Sequence, residues 1–311
     1  MRVFLSTLPK SDWWGKGMPK YEDNPFMENG LVPDASKVRQ QWNNLKNTIE
    51  QYVSVELIEF PTEFDTSERY LHDFVFVRDS FLTHSSGKVV LAKFAELNRK
   101  YETTYVYKYF EQLQNKRNVL NNLRIFTLSD NELMEGGEFL YLPYENVGIF
   151  GNSRANIKGI KRVVDIFGLD KYFVVKSEGF HLDTIMSVVK GADGKTCCIL
   201  VSKENVQSSD VLNEIEDFLN VPVVNIPAEF SIGRKNNGLL VRNNKNSKFV
   251  KLGNMAINGL SLPGVFISSF KFSDKIERIL ENRGITHIIA DVSEFHKSGG
   301  SVHCLTNEWY L

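Results

Sequence analysis

Cys304 stands in the C-terminal stretch SGGSVHCLTNEWYL, shortly after the glycine pair at 299–300, which permits a tight turn or a close backbone approach. A cysteine aimed by such a turn can act as a nucleophile once its thiol is ionised. The alternation of a β-strand predicts that Val302, Cys304 and Thr306 share one face. His303 would then point to the opposite side, so a base for Cys304 would come from elsewhere in the chain. Seen alone, Cys304 also fits a small, buried apolar residue.

Carboxylates and a second histidine recur beside apolar runs elsewhere in the chain. Asp73 and Asp79 are six positions apart, an even spacing that places both on one face of a strand. His181 and Asp183 share a face for the same reason, and Glu135 opens an EGGE sequence. Each has a plain structural explanation as a cap, a turn residue or a satisfied histidine. Together they supply a nucleophile, a base, an acid and several carboxylates, which is the set needed to attack a cationic, planar carbon.

The composition restricts the class of protein. The chain has 311 residues, of which 42% are hydrophobic and 24% charged, and its formal net charge is -1. This is typical of a globular protein and favours neither nucleic acid nor a membrane as a partner. Three cysteines do not form a disulfide framework, and no apolar run reaches about 18 residues. We therefore predict one domain, 1–311, in a cytoplasmic protein.

The apolar periodicity predicts a strand, strand, helix, strand order that returns about every fifty residues. The first unit opens with the strand FVFV at 74–77, and the fourth has GLLVRN at 238–243 and KFVKLG at 248–253 as its first two strands. VHCLT would begin a fifth unit that only the N-terminal strand and helix and the VELIEF strand can complete. The sequence therefore predicts a five-bladed, pseudo-symmetric α/β propeller of ββαβ units whose fifth unit is shared by the two termini.

Five motifs in this order carry a resemblance to a known family: FVFVRD, EGGE, NSRAN, FHLDT and GGSVHCLT. They resemble the guanidine-modifying superfamily of five-bladed propellers, which includes arginine deiminases, dimethylarginine dimethylaminohydrolases, agmatine deiminases and amidinotransferases. The resemblance implies that Cys304 is the nucleophile and that His181 is the general acid and base. It also implies that Glu135 binds the guanidinium group and assists proton transfer, with no cofactor and no metal.

The same resemblance implies the residues that bind the substrate. Asp79 and Asp183 match the carboxylates that hold the guanidinium nitrogens, and Asp73 matches a pocket aspartate of the dimethylarginine hydrolases. Arg99, in an Arg-x-x-Glu spacing, and Arg154, in NSRAN, match arginines that hold the α-carboxylate of a free amino acid. Together the two arginines favour an α-amino acid over decarboxylated agmatine.

The implied reaction is hydrolysis of arginine or a methylated arginine through a covalent thiouronium on Cys304, which gives citrulline and ammonia or an amine. An amidinotransferase and an agmatine deiminase remain open, because GGSVHCLT also resembles both. A papain-like hydrolase using Cys304 and His181 fits less well, since an amide carbonyl needs oxyanion donors rather than carboxylates. A guanidine-binding or partner-binding propeller without activity is the non-enzymatic alternative. A metal site of His181, Asp183 and His303 is the weakest hypothesis.

Three further points stay open at the level of the sequence. Glu138 stands where the family usually has aspartate, so its longer arm leaves the size of the pocket undecided. Trp13 and Trp14, in the first long loop, are interpreted either as part of a lid over the site or as part of an interface. The protein could also be a homo-oligomer.

Overall fold

A computed structural model of the chain describes residues 1–9, 33–61, 71–96, 99–116, 122–177, 180–227, 240–242, 249–251 and 255–310. The loop with Trp13 and Trp14 lies outside the described residues, and its role remains a prediction. Within the described ranges the strands form five three-stranded sheets and one two-stranded sheet. No helix in this part of the chain is both long enough and apolar enough to cross a membrane.

The strands and helices are numbered in chain order. The strands are β1 (Arg2–Ser6), β2 (Ser54–Ile58), β3 (Phe81–Thr83), β4 (Lys88–Leu91), β5 (Arg124–Phe126), β6 (Phe139–Leu142), β7 (Val147–Phe150), β8 (Lys171–Val174), β9 (Met186–Lys190), β10 (Thr196–Val201), β11 (Val223–Asn225), β12 (Leu240–Arg242), β13 (Phe249–Lys251), β14 (Leu260–Leu262), β15 (Val265–Ser268), β16 (Thr286–Ile289) and β17 (Thr306–Trp309). The helices are α1 (Ala35–Glu50), α2 (Glu102–Lys116), α3 (Ile157–Phe167), α4 (Asp210–Leu219), α5 (Asp274–Glu281), α6 (Ser293–His296) and α7 (Val302–Leu305).

The three-stranded sheets are β3-β4-β5, β6-β7-β8, β9-β10-β11, β14-β15-β16 and β17-β1-β2. In each sheet the first strand runs antiparallel to the second, and the second runs parallel to the third across a helical connection. In the last sheet Arg2 of β1 is paired with Trp309 of β17 on one side and with Ser54 of β2 on the other. The predicted five-unit α/β propeller, with a fifth unit shared by the termini, is confirmed.

Helix α1 shows how the outer layer is fixed. Asp34 caps its start, where its side chain accepts hydrogen bonds from the first backbone amides. Val38, Leu45 and Ile49 are buried along one face, and each such side chain contributes roughly 2 kcal/mol to folding. Trp42 Nε1 donates to the carbonyl of a β1 residue at 3.0 Å. The helix predicted from this periodicity therefore packs directly on the strand that closes the ring.

The prediction of a strand at 74–77 was wrong. His72–Val75 and Val77–Ser80 form two short 3-10 helices, and the first strand of the unit begins only at Phe81. Asp73 and Asp79 therefore do not share a strand face. The run from Phe74 to Val77 is buried throughout, and a continuous apolar run does not distinguish a strand from any other buried segment.

The predicted first two strands of the fourth unit were also wrong. GLLVRN and KFVKLG contain β12 and β13, which pair with each other as a separate antiparallel sheet. The unit itself uses β14 and β15, joined by a turn with Pro263 and with Gly264 at φ 75°. Both strands are short, and a proline and a glycine separate them, so their apolar pattern in the sequence is weak. The helix that follows, α5, has Ser273 as its N-cap, and Gly284, at φ 68°, lies three residues beyond its end.

The segment around Cys304 is a helical turn, α7, and not a strand. The role predicted for the two glycines before it is confirmed. Gly299 has φ 88°, in the left-handed region, and a Cβ on Gly300 would overlap the ring of Phe76. Strand β17 begins only after the turn, so consecutive residues in α7 differ by about 100° in direction instead of alternating between two faces.

In each unit, the segment just before the first strand is called the unit turn. Unit turns of neighbouring units lie close together. The first strands contact one another, β9 with β6 and β14, and β17 with β3. The unit turns at Val77–Ser80, Gly136–Glu138, Leu182–Thr184 and α7 also contact their neighbours in sequence around the ring. A fifth unit turn at 255–257 precedes β14. Residues far apart in the chain are thereby brought together.

Candidate active site

Cys304 is buried in α7, and its sulfur lies beside a carboxylate and an amide. The Sγ atom is 3.6 Å from Asp183 Oδ2, and Asn258 Nδ2 donates to it at 3.2 Å. Asn258 also donates to the carbonyl of Asp183 at 3.1 Å and accepts from the backbone amide of Cys304 at 3.2 Å. Asn258 therefore links two unit turns and orients the sulfur. The sequence pattern did not reveal Asn258, because it placed the fourth unit's strands too early.

His303 reaches the same carboxylate, so the prediction that it points away from Cys304 was wrong. Its Nδ1 atom lies 2.8 Å from Asp183 Oδ2, the oxygen that is also nearest to the Cys304 sulfur. The helical geometry of α7 makes this possible. Asp183 Oδ1 is buried and makes no hydrogen bond within the described part of the chain. One carboxylate oxygen is thus fixed by the protein, and the other is available to a bound group.

His181 lies between two other carboxylates. Its Nε2 atom is 3.0 Å from Glu135 Oε2, and its Nδ1 atom is 3.5 Å from Asp79 Oδ1. Complete burial on its own would lower the pKa of His181, but Asp79 and Glu135 outweigh burial and raise that pKa to about 9. The imidazole is therefore protonated at neutral pH and can donate a proton.

Gly137 makes this arrangement possible at close range. Its backbone amide donates to Asp79 Oδ1 at 3.1 Å. A Cβ at this position would come within 2.6 Å of His181 Nδ1 and 2.7 Å of Asp79 Oδ1. Only glycine therefore lets the backbone, the carboxylate and the imidazole come together here.

Arg99 lies behind Asp79 and is 2% exposed. Its Nη1 atom donates to Asp79 Oδ2 at 2.7 Å, and its Nε and Nη2 atoms donate to the two carboxylate oxygens of Glu102 at 2.8 and 2.9 Å. A further bond of 3.2 Å runs from Nη2 to the carbonyl of Asp73. Burial raises the pKa of Asp79, but the positive charges on His181 and Arg99 outweigh it and hold that pKa below its usual value. The structure thus places Arg99 in a protein ion-pair network.

The other predicted binding residues lie at the edges of this cluster. Arg154 Nη1 is 3.7 Å from Glu135 Oε1, and the Arg154 guanidinium lies over the Phe180 ring at 4.7 Å from its centroid. The side chain of Asp73 is buried and forms a 2.7 Å contact with His72 Nδ1. Both lie next to residues of the cluster, and their roles toward a substrate remain predictions.

Glu138, whose longer side chain left the pocket size undecided, is directed at backbone groups. Its Oε1 atom accepts from the amide of Arg154 at 2.6 Å and from the hydroxyl of Ser153. Its Oε2 atom accepts from the amide of Leu182 at 3.3 Å. Burial raises the pKa of Glu138 despite the opposing charge of His181. Glu138 therefore ties the NSRAN loop to the unit turn that carries Asp183.

The surroundings keep Cys304 protonated in the free protein. Burial, followed by the negative charges of Asp183 and Asp79, raises the pKa of its thiol well above the usual value. The bonds from Asn258 and from the backbone of Ser301 oppose this shift but do not overcome it. Entry of a positive charge would lower the cost of ionising the sulfur.

Asp79, Glu135 and His181 could also hold a metal ion. Each offers one ligand atom, and these atoms lie within 4.8 Å of one another. Two carboxylates beside an imidazole are equally suited to the N–H groups of a guanidinium. The sulfur of Cys304 is outside this set of ligand atoms.

Comparisons with known proteins identify the family of the chain and the proteins that share its fold. Residues 32–311 match the family model described as "N,N dimethylarginine dimethylhydrolase, eukaryotic". An uncharacterized protein of Caenorhabditis elegans is 24% identical over 290 residues, covering 92% of this chain and 88% of the relative. Two solved structures are similar at 18% identity, which shows a shared fold.

The first is the N-terminal domain of ArgZ bound to substrate, an arginine dihydrolase from the ornithine-ammonia cycle in cyanobacteria. Its TM-score is 0.74, and the match covers 100% of this chain and 99% of that one. The second is a dimethylarginine dimethylaminohydrolase adduct with S-methyl-L-thiocitrulline, with a TM-score of 0.67 and 99% coverage of both chains. Because the family model spans nearly the whole sequence, the chain belongs to the eukaryotic N,N dimethylarginine dimethylhydrolase family, within the guanidine-modifying propellers.

Proposed function

We propose that this protein is a hydrolase that attacks the guanidinium carbon of free arginine or a methylated arginine. The observation that carries the proposal is the pairing of Cys304 with Asp183. A buried thiol, kept protonated by nearby carboxylates, lies beside a carboxylate oxygen that makes no hydrogen bond among the described residues. A planar cation that bonds to this oxygen would bring its carbon to the sulfur and favour the thiolate.

In the proposed complex, Asp183 Oδ1 and Asp79 accept hydrogen bonds from the guanidinium nitrogens. Arg99 acts through Asp79, because four of its five N–H groups are already engaged by Asp79, Glu102 and a backbone carbonyl. We therefore propose that Arg99 positions Asp79, and we keep Arg154 as the residue for the substrate carboxylate. Asp73 remains a proposed contact at the edge of the pocket.

The proposed chemistry proceeds in two halves. Substrate binding lets the Cys304 thiol release its proton to solvent, and the thiolate then adds to the guanidinium carbon. His181 protonates the departing nitrogen as the tetrahedral adduct collapses. The carbon stays bound to sulfur as a thiouronium, and ammonia or a methylated amine leaves. Water then adds to that carbon while His181, now neutral and bonded to Glu135, accepts its proton. Cleavage of the carbon–sulfur bond releases citrulline, and the hydroxyl proton of the adduct returns the thiolate to the thiol.

The names of the relatives define the substrate class to be tested. The family model is named for dimethylarginine, and ArgZ is an arginine dihydrolase. Both names refer to α-amino acids with a guanidino group, in line with the prediction made for Arg154. The structure carries no observation that favours an acceptor amine over water as the second nucleophile.

Product analysis tests the proposal. Purified protein and a Cys304→Ala control are incubated separately with L-arginine, asymmetric dimethylarginine and agmatine, each with and without glycine, and the products are identified by mass spectrometry. Citrulline from an amino acid substrate, absent in the control and unaffected by EDTA, supports the hydrolase and names the leaving group. Ornithine with ammonia indicates a dihydrolase, and guanidinoacetate formed only with glycine indicates an amidinotransferase. Turnover of none of the three contradicts the proposal.

A further inference from the structure

A second polar cluster lies along the same central strands, beyond the unit turns. Lys190 ends β9, whose unit turn carries Asp183, and Glu308 lies in β17, after the turn that carries Cys304. The cluster surrounds a cavity of about 20 Å³, which we call the strand cavity. The polar side chains that line it include Arg78, Thr83, Lys190, Ser261, Glu308 and Tyr310.

Two cations and one carboxylate line the strand cavity. Arg78 Nη2 donates to Glu308 Oε2, and Lys190 Nζ lies 3.7 Å from Glu308 Oε1. Burial would raise the pKa of Glu308, but the two cations outweigh it and hold that pKa far below its usual value. Arg78 is 7% exposed, Lys190 4% and Glu308 7%, so none of the three charges is well solvated. Arg78 and Lys190 carry two positive formal charges and Glu308 carries one negative charge, so the three side chains together have a net charge of about +1.

Two other titratable groups lie near the cavity. His303 also lines the cavity, but its Nδ1 atom is bonded to Asp183 on the side of the unit turns. Glu145 contributes to the field at Lys190 but does not line the cavity, and it accepts from the backbone amide of Thr196 at 3.0 Å. Burial, which outweighs the attraction of Glu308, lowers the pKa of Lys190. Among the side chains that line the cavity, the cationic groups outnumber the carboxylates, which favours an anion over a cation as an occupant.

The lining also offers hydrogen-bond donors. Arg78 Nε is buried and makes no hydrogen bond within the described ranges. Lys190 Nζ donates to the Tyr310 hydroxyl at 3.2 Å and to the carbonyl of Ser261 at 3.4 Å. Because the Tyr310 oxygen accepts from Lys190, its own hydrogen can be donated elsewhere. Burial, then the charge of Glu308, raises the pKa of Tyr310 well above its usual value, so the hydroxyl keeps that hydrogen.

We propose that the strand cavity is a binding site for a small monovalent anion such as chloride. Arg78 Nε, Lys190 and the Tyr310 hydroxyl would supply the donors, and the surplus positive charge would supply the attraction. The small volume restricts the occupant to about the size of one or two water molecules, which excludes a bulky carboxylate ligand. This site does not depend on the proposed reaction.

The test is anion binding to the whole protein at constant ionic strength. Protein prepared in sodium gluconate is titrated with sodium chloride and sodium bromide, and binding is followed by chloride NMR line broadening and by the melting temperature. We expect saturable binding and a rising melting temperature. Anomalous scattering from bromide-soaked crystals should show a peak between Arg78, Lys190 and Tyr310. Absence of saturable binding, or a cavity that holds only water, overturns the proposal.

Two variants locate the site. Lys190→Met removes the surplus positive charge and should weaken bromide binding by about tenfold or more. Lys195→Met removes an exposed lysine nearby and should leave binding unchanged. If Lys190→Met does not fold, Tyr310→Phe keeps the charge and the ring and should weaken binding by about three- to tenfold. Unchanged affinity in Lys190→Met, or in Tyr310→Phe where Lys190→Met does not fold, places the anion elsewhere and overturns the proposal.

Discussion

Two regions lie along the central strands: the candidate active site at the unit turns and the strand cavity. The charged side chains that predominate in these two regions have opposite signs. At the unit turns, carboxylates face a neutral thiol, and Asp183 and Asp79 oppose its ionisation. In the strand cavity, Arg78 and Lys190 face a single carboxylate and hold it ionised. The same five strands support both regions, so the scaffold does not determine the sign of the ligand. The residues placed at each end determine it: the first region suits a cation and the second an anion.

Removal of the sulfur should have the largest effect. Cys304→Ala is expected to lower turnover by about 10³-fold or more, because the proposed covalent intermediate forms on the sulfur that this substitution removes. The melting temperature should change little, since the substitution leaves the bond from the residue 304 amide to Asn258 in place. Cys197→Ala, at a half-buried cysteine in β10, is the matched control and should retain activity. Comparable turnover in Cys304→Ala would show that Cys304 is not the nucleophile.

Removal of one negative charge tests the contrast between the two regions. Asp183→Asn should lower the pKa of Cys304, because the Asp183 charge is one of the causes that raise it. Iodoacetamide should then alkylate Cys304 at pH 7.5 about tenfold faster than in the parent protein, while turnover falls. Asp193→Asn, in an exposed turn, is the control. Slower or unchanged alkylation in Asp183→Asn would mean that the carboxylate does not suppress ionisation of the thiol.

The substrate's positive charge should make the same contrast visible in the pH profiles. The pKa of the free Cys304 thiol is raised. Because kcat/KM reports the free enzyme, its value should keep rising with pH up to high pH, as more of the thiol ionises. A bound guanidinium offsets the carboxylates, so the acid limb of kcat should lie about one pH unit or more lower. Coincident acid limbs would show that the substrate does not assist ionisation.

His181 should produce a smaller effect, on stability. Its pKa in the folded protein is about 9, above the ordinary value of 6.5, so its protonated form stabilises the fold. This contribution is complete below pH 6.5 and is lost as the pH rises through about 9. The free energy of unfolding in urea should therefore fall over this interval, and the fall should be smaller in His181→Asn. An equal fall in both proteins would assign it to other groups.

The fold was predictable largely because each unit repeats a strong local pattern. The pairing of the two terminal strands, for example, follows from counting the units. The prediction failed where local pattern is ambiguous. The run from Phe74 to Val77 is buried, and burial alone does not identify its backbone conformation. Strands β14 and β15 are so short that their apolar pattern is weaker than that of GLLVRN and KFVKLG, which were therefore predicted as the strands of the fourth unit.

The types of the candidate site residues could be predicted, but their contacts could not. Even spacing assigned His303 to the wrong side because α7 is a helical turn, and it missed Asn258 because the fourth unit was displaced. Arg99 matched a substrate-binding motif, yet four of its five N–H groups bond to Asp79, Glu102 and a backbone carbonyl. These contacts arise when the ring closes and brings distant turns together, and sequence spacing carries little information about such long-range geometry.

The most direct test of the proposed chemistry is to trap the covalent intermediate. The protein is mixed with L-arginine or asymmetric dimethylarginine, quenched in acid during turnover, and its intact mass and peptide masses are measured. We predict an adduct of the substrate without its leaving amine, attached to the peptide that contains Cys304 and absent in Cys304→Ala. Citrulline formation with no adduct at any quench time, or an adduct on another residue, would contradict the covalent mechanism.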